Sequence, residues 1–200
     1  MGFKDLLVQD AKNVFLNREE FADTHSINGK PMPVLVDDPM TPTDLQDAIV
    51  QALKEQLAPL RLTNSAGHEV GVKVFPQFKP YRAPRPAQST NDDDLPEPYV
   101  LVALVNGEQT EIDKPNKVDV VVAVEVYDPD PNRQGYRDAS HILNVILGYF
   151  ERKVKIARAF ELVRPIKWDN DLDPNKHPYY SAAIGLHFEG PTIYREEPET

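Results

Sequence analysis

Alternating carboxylates are the most suggestive chemistry in this 200-residue chain. Asp128-Pro129-Asp130-Pro131-Asn132 opens as a calcium loop does, with side-chain oxygens at alternate positions able to converge on one cation. The pattern then breaks. Arg133 stands where such a loop needs its turn glycine, and Ala139 where it needs a bidentate glutamate. The segment therefore reads as a turn into a helix, with Asp130 or Asn132 as the cap. Asp169, Asp171 and Asp173 repeat the alternation and fail at the same two places, Pro174 and Tyr180. The histidines, 25, 68, 141, 177 and 187, never take the i, i+4 spacing that sets two imidazoles on one helix face around zinc. Zero cysteine removes thiolate ligands, disulfides and Cys nucleophiles together. No G-x-S-x-G nucleophile turn, phosphate-cradling G-x-x-x-x-G-K or dinucleotide G-x-G-x-x-G occurs. The expectation is a chain that is not an enzyme, with no catalytic, metal or cofactor site and no cofactor.

What remains is chemistry suited to protein contacts. The chain has 19 prolines, roughly twice the usual share of about 5%. Six of them lie between Pro76 and Pro98, a stretch too proline-rich for a helix or a central strand. Phe78, Tyr81, Arg82 and Arg85 sit in that stretch, and aromatic and arginine side chains are enriched at interfaces. Proline stiffness lowers the entropy such an arm loses on docking. Arg82 and Arg85 could instead line a DNA-filled channel, although Asp92-Asp93-Asp94 follows them. With 22 basic residues against 32 acidic ones the net charge is −10, which removes polyanions as general partners. The longest apolar runs, Tyr99 to Val105 and Val120 to Val124, are far shorter than the roughly 20 residues a membrane helix needs, and Met1 to Phe15 lacks the uninterrupted apolar stretch of a secretory signal.

The elements that must position these residues fall into two modules. In residues 1–39, Phe3, Leu6, Leu7, Ala11, Val14 and Phe15 trace one helical face. Asn28-Gly29 before Pro31-Met32-Pro33-Val34 marks a hairpin whose proline-bearing arm belongs at an edge. About 39 residues cannot hold a stable core alone. Residues 40–190 open with Thr41-Pro42-Thr43-Asp44, a cap, a first-turn proline and an acidic third position. The helix that follows runs to about Ala58 on the stripe Leu45, Ala48, Ile49, Ala52, Leu53, Leu57. A strand is expected at Val70–Phe75, then central strands at Tyr99–Val105 and Val118–Tyr127, joined by a turn around Asn106-Gly107 and Lys114-Pro115-Asn116. Ala139, Ile142, Leu143, Ile146, Leu147 and Phe150 give a second helix ending at the basic Arg152-Lys153. Strands near Arg158–Trp168 and Tyr179–Phe188 close the unit, and 191–200 is an acidic tail. This order predicts an α+β fold: a mostly antiparallel sheet with two helices, plus an N-terminal helix-hairpin appendage.

From Met40 onward the layout resembles the tail terminator proteins of long-tailed bacteriophages and phage-tail-like particles. The matching segments are Pro98-Tyr99-Val100-Leu101-Val102, the valine strand ending Val126-Tyr127-Asp128, the helix entry Gln134-Gly135-Tyr136-Arg137-Asp138, Phe160-Glu161-Leu162 and Pro178-Tyr179-Tyr180. Residues 1–39 resemble the opening of a head-tail joining, or stopper-like, family through Asn13-Val14-Phe15-Leu16-Asn17, Glu20-Phe21-Ala22 and Ile27-Asn28-Gly29-Lys30. That match stops near Asp38, and Met40 with its own helix cap then reads as a former start, so the chain reads as a joining-protein fragment fused to a terminator.

The resemblance implies a structural virion protein, assembled in the host cytoplasm, that forms a homo-oligomeric ring, hexameric in the family. Such a ring caps the tail tube and joins it to the neck or collar. Its implied partners are further copies of itself, the tail tube protein and sheath or neck and connector proteins, with no membrane and with DNA at most passing through the lumen. Phe78, Tyr81, Arg82, Arg85, Tyr136 and Arg137 are the expected contact residues, and Arg137 has an intrachain alternative in Asp138 or Asp130. The competing readings are a head-tail connector or stopper component, and a small-molecule-binding or hydrolytic α+β protein whose pocket would hold a perturbed carboxylate.

Overall fold

The structure is a computed structural model that describes residues 41–80, 97–111 and 114–191, together with the backbone of strands at 23–27 and 30–34. The chain divides into two compact units, Met1–Pro39 and Met40–Thr200. In the first, β1 (Asp23–Ile27) pairs antiparallel with β2 (Lys30–Val34), and Ile27 opposite Lys30 leaves Asn28-Gly29 as the connection. The helix expected over Phe3–Phe15 and the tail beyond 191 lie outside the described residues.

The second unit begins with α1 (Pro42–Leu57). Its start is built as the residue types require: Thr41 Oγ1 accepts from the Asp44 amide, and the Asp44 carboxylate accepts from the Thr41 amide at 2.6 Å. That hydrogen bonding holds the Asp44 carboxyl below its usual range. Leu45, Ile49, Leu53 and Leu57 are fully buried, at the i, i+4 spacing of one helical face. A hairpin of β3 (Arg61–Thr63) and β4 (Glu69–Gly71) follows, and then the main sheet. Its strands are β5 (Lys73–Pro76), β6 (Tyr99–Glu108), β7 (Lys117–Tyr127), β8 (Lys155–Ile156), β9 (Phe160–Asn170) and β10 (Tyr179–Glu189), in the spatial order β5-β6-β7-β10-β9-β8. Every pair is antiparallel except β5–β6, which is parallel. The fold is α+β, with α2 (Gly135–Arg152) crossing from β7 to β8.

Both helices cover one face of this sheet. Val118, Val120, Val122, Val124 and Val126 are buried, whereas Asp119, Val121, Ala123, Glu125 and Tyr127 between them are only half-buried. A run of valines that reads as a strand buried on both sides therefore has one packed face, against Leu45, Ile49, Ile142, Ile146, Phe150, Ile184 and Phe188. No described helix is long and apolar enough to cross a membrane.

Three local expectations change. The alternating run Val70–Phe75 splits: Glu69–Gly71 pairs with β3 and only Lys73–Pro76 joins the main sheet. Asn106 and Gly107 do not turn, since β6 continues through them opposite Asp119 and Val118, with a register shift between Leu104 and Asn106 absorbing the irregularity. Neither Asp130 nor Asn132 caps α2. The Asp130 carboxylate already accepts from the Asn132 amide, Arg133 takes a left-handed step (φ 55°), and the N-cap is Gln134 with no side-chain bond.

Candidate functional site

The helix entry Gln134–Asp138 is where contact residues and packing constraints meet. Gly135 is buried where α2 approaches the ends of β7 and β10: a Cβ there would stand 2.5 Å from the Tyr180 ring and 2.6 Å from the Asp128 Cβ. Only the absence of a side chain lets the helix come this close. The next two residues point outward. Tyr136 is 45% exposed, and Arg137 Nε donates to the Tyr136 hydroxyl at 3.3 Å with its guanidinium 5.9 Å from the ring centre. That bond raises the Arg137 pKa. The expected alternative, a pair between Arg137 and Asp138 or Asp130, does not form; Arg137 bonds its aromatic neighbour instead.

Beside Tyr136 lies a shallow notch of about 220 Å³ between α2 and the β9–β10 connection. Tyr179, Tyr180, His177 and Leu172 form its wall, with Leu172 88% exposed. His177 Nδ1 lies 3.1 Å from the Tyr180 hydroxyl and the two rings meet edge to face, so His177 holds Tyr180 by both its hydroxyl and its ring. Arg133 reaches over to the Pro174 carbonyl, and Lys176 pairs with Asp171. The triplet Asp169, Asp171, Asp173 thus serves the backbone: Asp169 lies in β9 opposite Ala183, while Asp171 accepts from the Asp173 amide and Asp173 from the Asn175 amide. Among the described residues no three His, Asp or Glu converge in a way that could hold a metal ion.

A different end of the sheet carries Phe78, which is 77% exposed. It follows Gln77, a residue with φ 57° whose side-chain amide acts as one more rung of the sheet. Gln77 Oε1 accepts from the Leu104 amide at 3.0 Å and Gln77 Nε2 donates to the Leu104 carbonyl at 3.2 Å. The buried Gln46 of α1 locks this arrangement, donating from Nε2 to the Val102 carbonyl at 2.7 Å and to Gln77 Oε1 at 3.0 Å. The two amides end the parallel pairing, and from the bulged, 62%-exposed Val105 onward no described strand pairs with this edge of β6. Leu104 pairs with Val120, seven residues before Tyr127 on β7, so Gln77 and the α2 entry stand about 23 Å apart along the strand. The structure therefore does not bring Phe78 together with Tyr136 and Arg137. Tyr81, Arg82 and Arg85 lie outside the described residues.

Between these two places the helix-free sheet face carries small and aromatic side chains. Ala103, Val121, Ala123, Ser181, Ala183 and Gly185 are half-buried across its middle, and no described element lies over them. At one margin Tyr99 donates to Glu125 at 2.8 Å while the Lys79 ammonium sits 4.8 Å above the Tyr99 ring. Burial, with the Glu125 carboxylate beside it, pushes the Tyr99 phenol well above its ordinary range. At another, His187 Nδ1 lies 2.7 Å from Asp119 across the β10–β7 ladder. Sequence reasoning missed both polar pairs, because their members are far apart in the chain and neither belongs to a motif.

No family model matches the chain, and no curated protein matches it. One solved structure, whose name describes no activity, aligns over 78% of this chain and 99% of its own length at 12% identity, with a TM-score of 0.45. A likeness at that level carries no argument about function.

Proposed function

We infer that residues 40–200 are the subunit of a homo-oligomeric ring that caps the tail tube of a phage or phage-tail-like particle and joins it to the neck. The segment resemblance set out above supports this reading. The observation that carries it is the one-sided layering of the sheet: both helices lie on one face, and the other presents a half-buried field of Ala103, Val121, Ala123, Ala183 and Gly185 with no described layer above it. A face of small side chains lets a neighbouring subunit approach closely, and the β6 edge, unpaired by any described strand from Val105 onward, and exposed Tyr136 give that neighbour further contacts. Function here is geometric, since ring closure sets the diameter that meets the tube.

Native mass spectrometry and negative-stain electron microscopy of the full chain, with and without tube protein, test the reading. Closed rings that sit on tube ends are expected, and Tyr136→Ser should lower ring yield without lowering the melting temperature. A chain that stays monomeric at high concentration and leaves tube length unchanged would refute it.

A further inference from the structure

The average charge of the chain conceals a strongly cationic edge. Residues 151–168 contain six basic side chains, Arg152, Lys153, Lys155, Arg158, Arg164 and Lys167, and only two acidic ones, Glu151 and Glu161. All six cations are exposed, and none forms an ion pair with a described residue. The fold gathers them along one border. Arg152 and Lys153 end α2, Lys155 lies on β8 opposite Glu161, and Arg164 and Lys167 lie on β9, which has only the two-residue β8 on its outer side.

The hairpin tip of this edge is built against local preference. Ala157 and Arg158 both hold positive φ, 48° and 62°, a conformation that favours glycine or asparagine. A charged arginine thus stands at the turn that glycine would fill without strain, and a strained tip of this kind is a signature of a contact.

The complementary surface lies near the other end of α2. A cleft of about 470 Å³ between the β3–β4 hairpin and the end of β7 is lined by Glu69, Asp128, Asp130 and Asp138, with Arg61 as the one cation and Tyr127, Pro129 and Leu62 as its apolar wall. Partial burial and the nearby Asp128 raise the Asp138 carboxyl, while His141 pulls it the other way. Asp138 and Arg152 are about 21 Å apart along the helix, so a subunit cannot fill its own cleft with its own cationic tip.

We propose that the cationic β8–β9 edge, led by Arg158, docks head-to-tail into the Glu69/Asp128/Asp130/Asp138 cleft of a second copy of this chain. The proposal rests on the ring reading and supplies its contact. A second copy is favoured over a phosphate backbone because it meets the edge with a local acidic cleft and apolar walls, whereas a nucleic acid would also run past the rest of the chain, which without the edge is still more acidic than the total of −10. The contact is heterologous, so its repetition generates a ring or a filament rather than a closed pair.

Opposite charge reversals in the full chain test the arrangement. Arg158→Glu with Arg164→Glu cancels the net charge of the edge and sets two carboxylates against the acidic cleft, and Glu69→Lys with Asp130→Lys sets two ammonium groups against the basic edge. Each variant alone should associate about tenfold more weakly than the native chain by analytical ultracentrifugation. An equimolar mixture should recover association, because an alternating array then sets the introduced carboxylates against the introduced ammonium groups and leaves the other junctions native. Thermal melts monitor folding. Should the Asp130 variant unfold, native association measured between about 50 and about 500 mM NaCl takes its place and should weaken as screening rises. Rings unaffected by Arg158→Glu with Arg164→Glu and by salt overturn this proposal and leave the ring reading intact; a chain that never associates overturns both. Failure of the mixture to recover, or a native monomer that binds labelled DNA through these arginines, also overturns it.

Discussion

Gly135→Ala puts the packing of the helix entry to the test. The new methyl group would stand 2.5 Å from the Tyr180 Cδ2 and 2.6 Å from the Asp128 Cβ, far inside van der Waals contact. Neither neighbour can yield easily. The Asp128 Cβ moves only with its backbone, whose amide donates to the Pro178 carbonyl at 2.9 Å, and the Tyr180 ring is held by His177. Overpacking a tight site costs about 1–3 kcal/mol. Replacing glycine early in a helix recovers about 0.4–1 kcal/mol from the unfolded chain, which leaves a net destabilisation centred on about 1.3 kcal/mol and at most about 2.6 kcal/mol. For a unit of about 150 residues the central value lowers the melting temperature by about 3–5 °C. Circular dichroism melts of the full chain read this directly. Gly135→Ala combined with Tyr180→Ala should lose less stability than the two single changes added together, because the double variant removes the Tyr180 part of the clash and leaves only that with the Asp128 Cβ. Full additivity, or a Gly135→Ala chain as stable as the native one, would refute the claim that glycine is needed for this approach.

Two further outcomes follow from buried polar contacts. Gln46→Ala removes the donor to the Val102 carbonyl and to Gln77, and should cost about 2 kcal/mol in urea unfolding, with faster amide exchange at Leu104, whose amide Gln77 accepts from. No change at Leu104 would show that Gln77 holds the β6 edge without Gln46. Tyr99 has a raised pKa because burial disfavours its phenolate, so the native state retains a proton that the unfolded chain releases near pH 10.0. Stability is therefore complete below that pH and falls as pH rises above it, by up to about 1.4 kcal/mol per pH unit from this group. Tyr99→Phe should flatten the fall, and an unchanged slope would refute the assignment.

The parts of the fold legible in the sequence are those fixed by neighbours in the chain. Thr41-Pro42-Thr43-Asp44 specifies the start of α1 because the bonds it makes span three residues. The α2 stripe from Ala139 to Phe150 specifies a buried face for the same reason. Features set by distant pairing were not legible. Asn106-Gly107 carries strong turn chemistry, yet eleven residues of β7 offer it a ladder and the ladder prevails. β8 has two residues, too few for any periodicity, and exists through its pairing with β9. Gln46 lies beside an apolar stripe and reads as surface, until its contacts with Gln77, 31 residues away, and Val102, 56 residues away, bury it.

The candidate contact surface shows the same division, with a consequence for how it is interpreted. In Gln134-Gly135-Tyr136-Arg137-Asp138, Gly135 is required by packing against Tyr180 and Asp128, so its presence reports the fold. Tyr136 is 45% exposed and, among the described residues, the Arg137 side chain bonds only to Tyr136, so the described fold requires neither side chain. Two adjacent residues that stability does not need are the stronger pointer to a partner. The same reasoning applies to charge. A total of −10 describes the field far from the molecule, whereas a docking partner meets the local arrangement. At the β8–β9 edge that arrangement has the opposite sign, so an acidic cleft of a second copy attracts the edge at short range even though the equal net charges of the two copies repel at a distance.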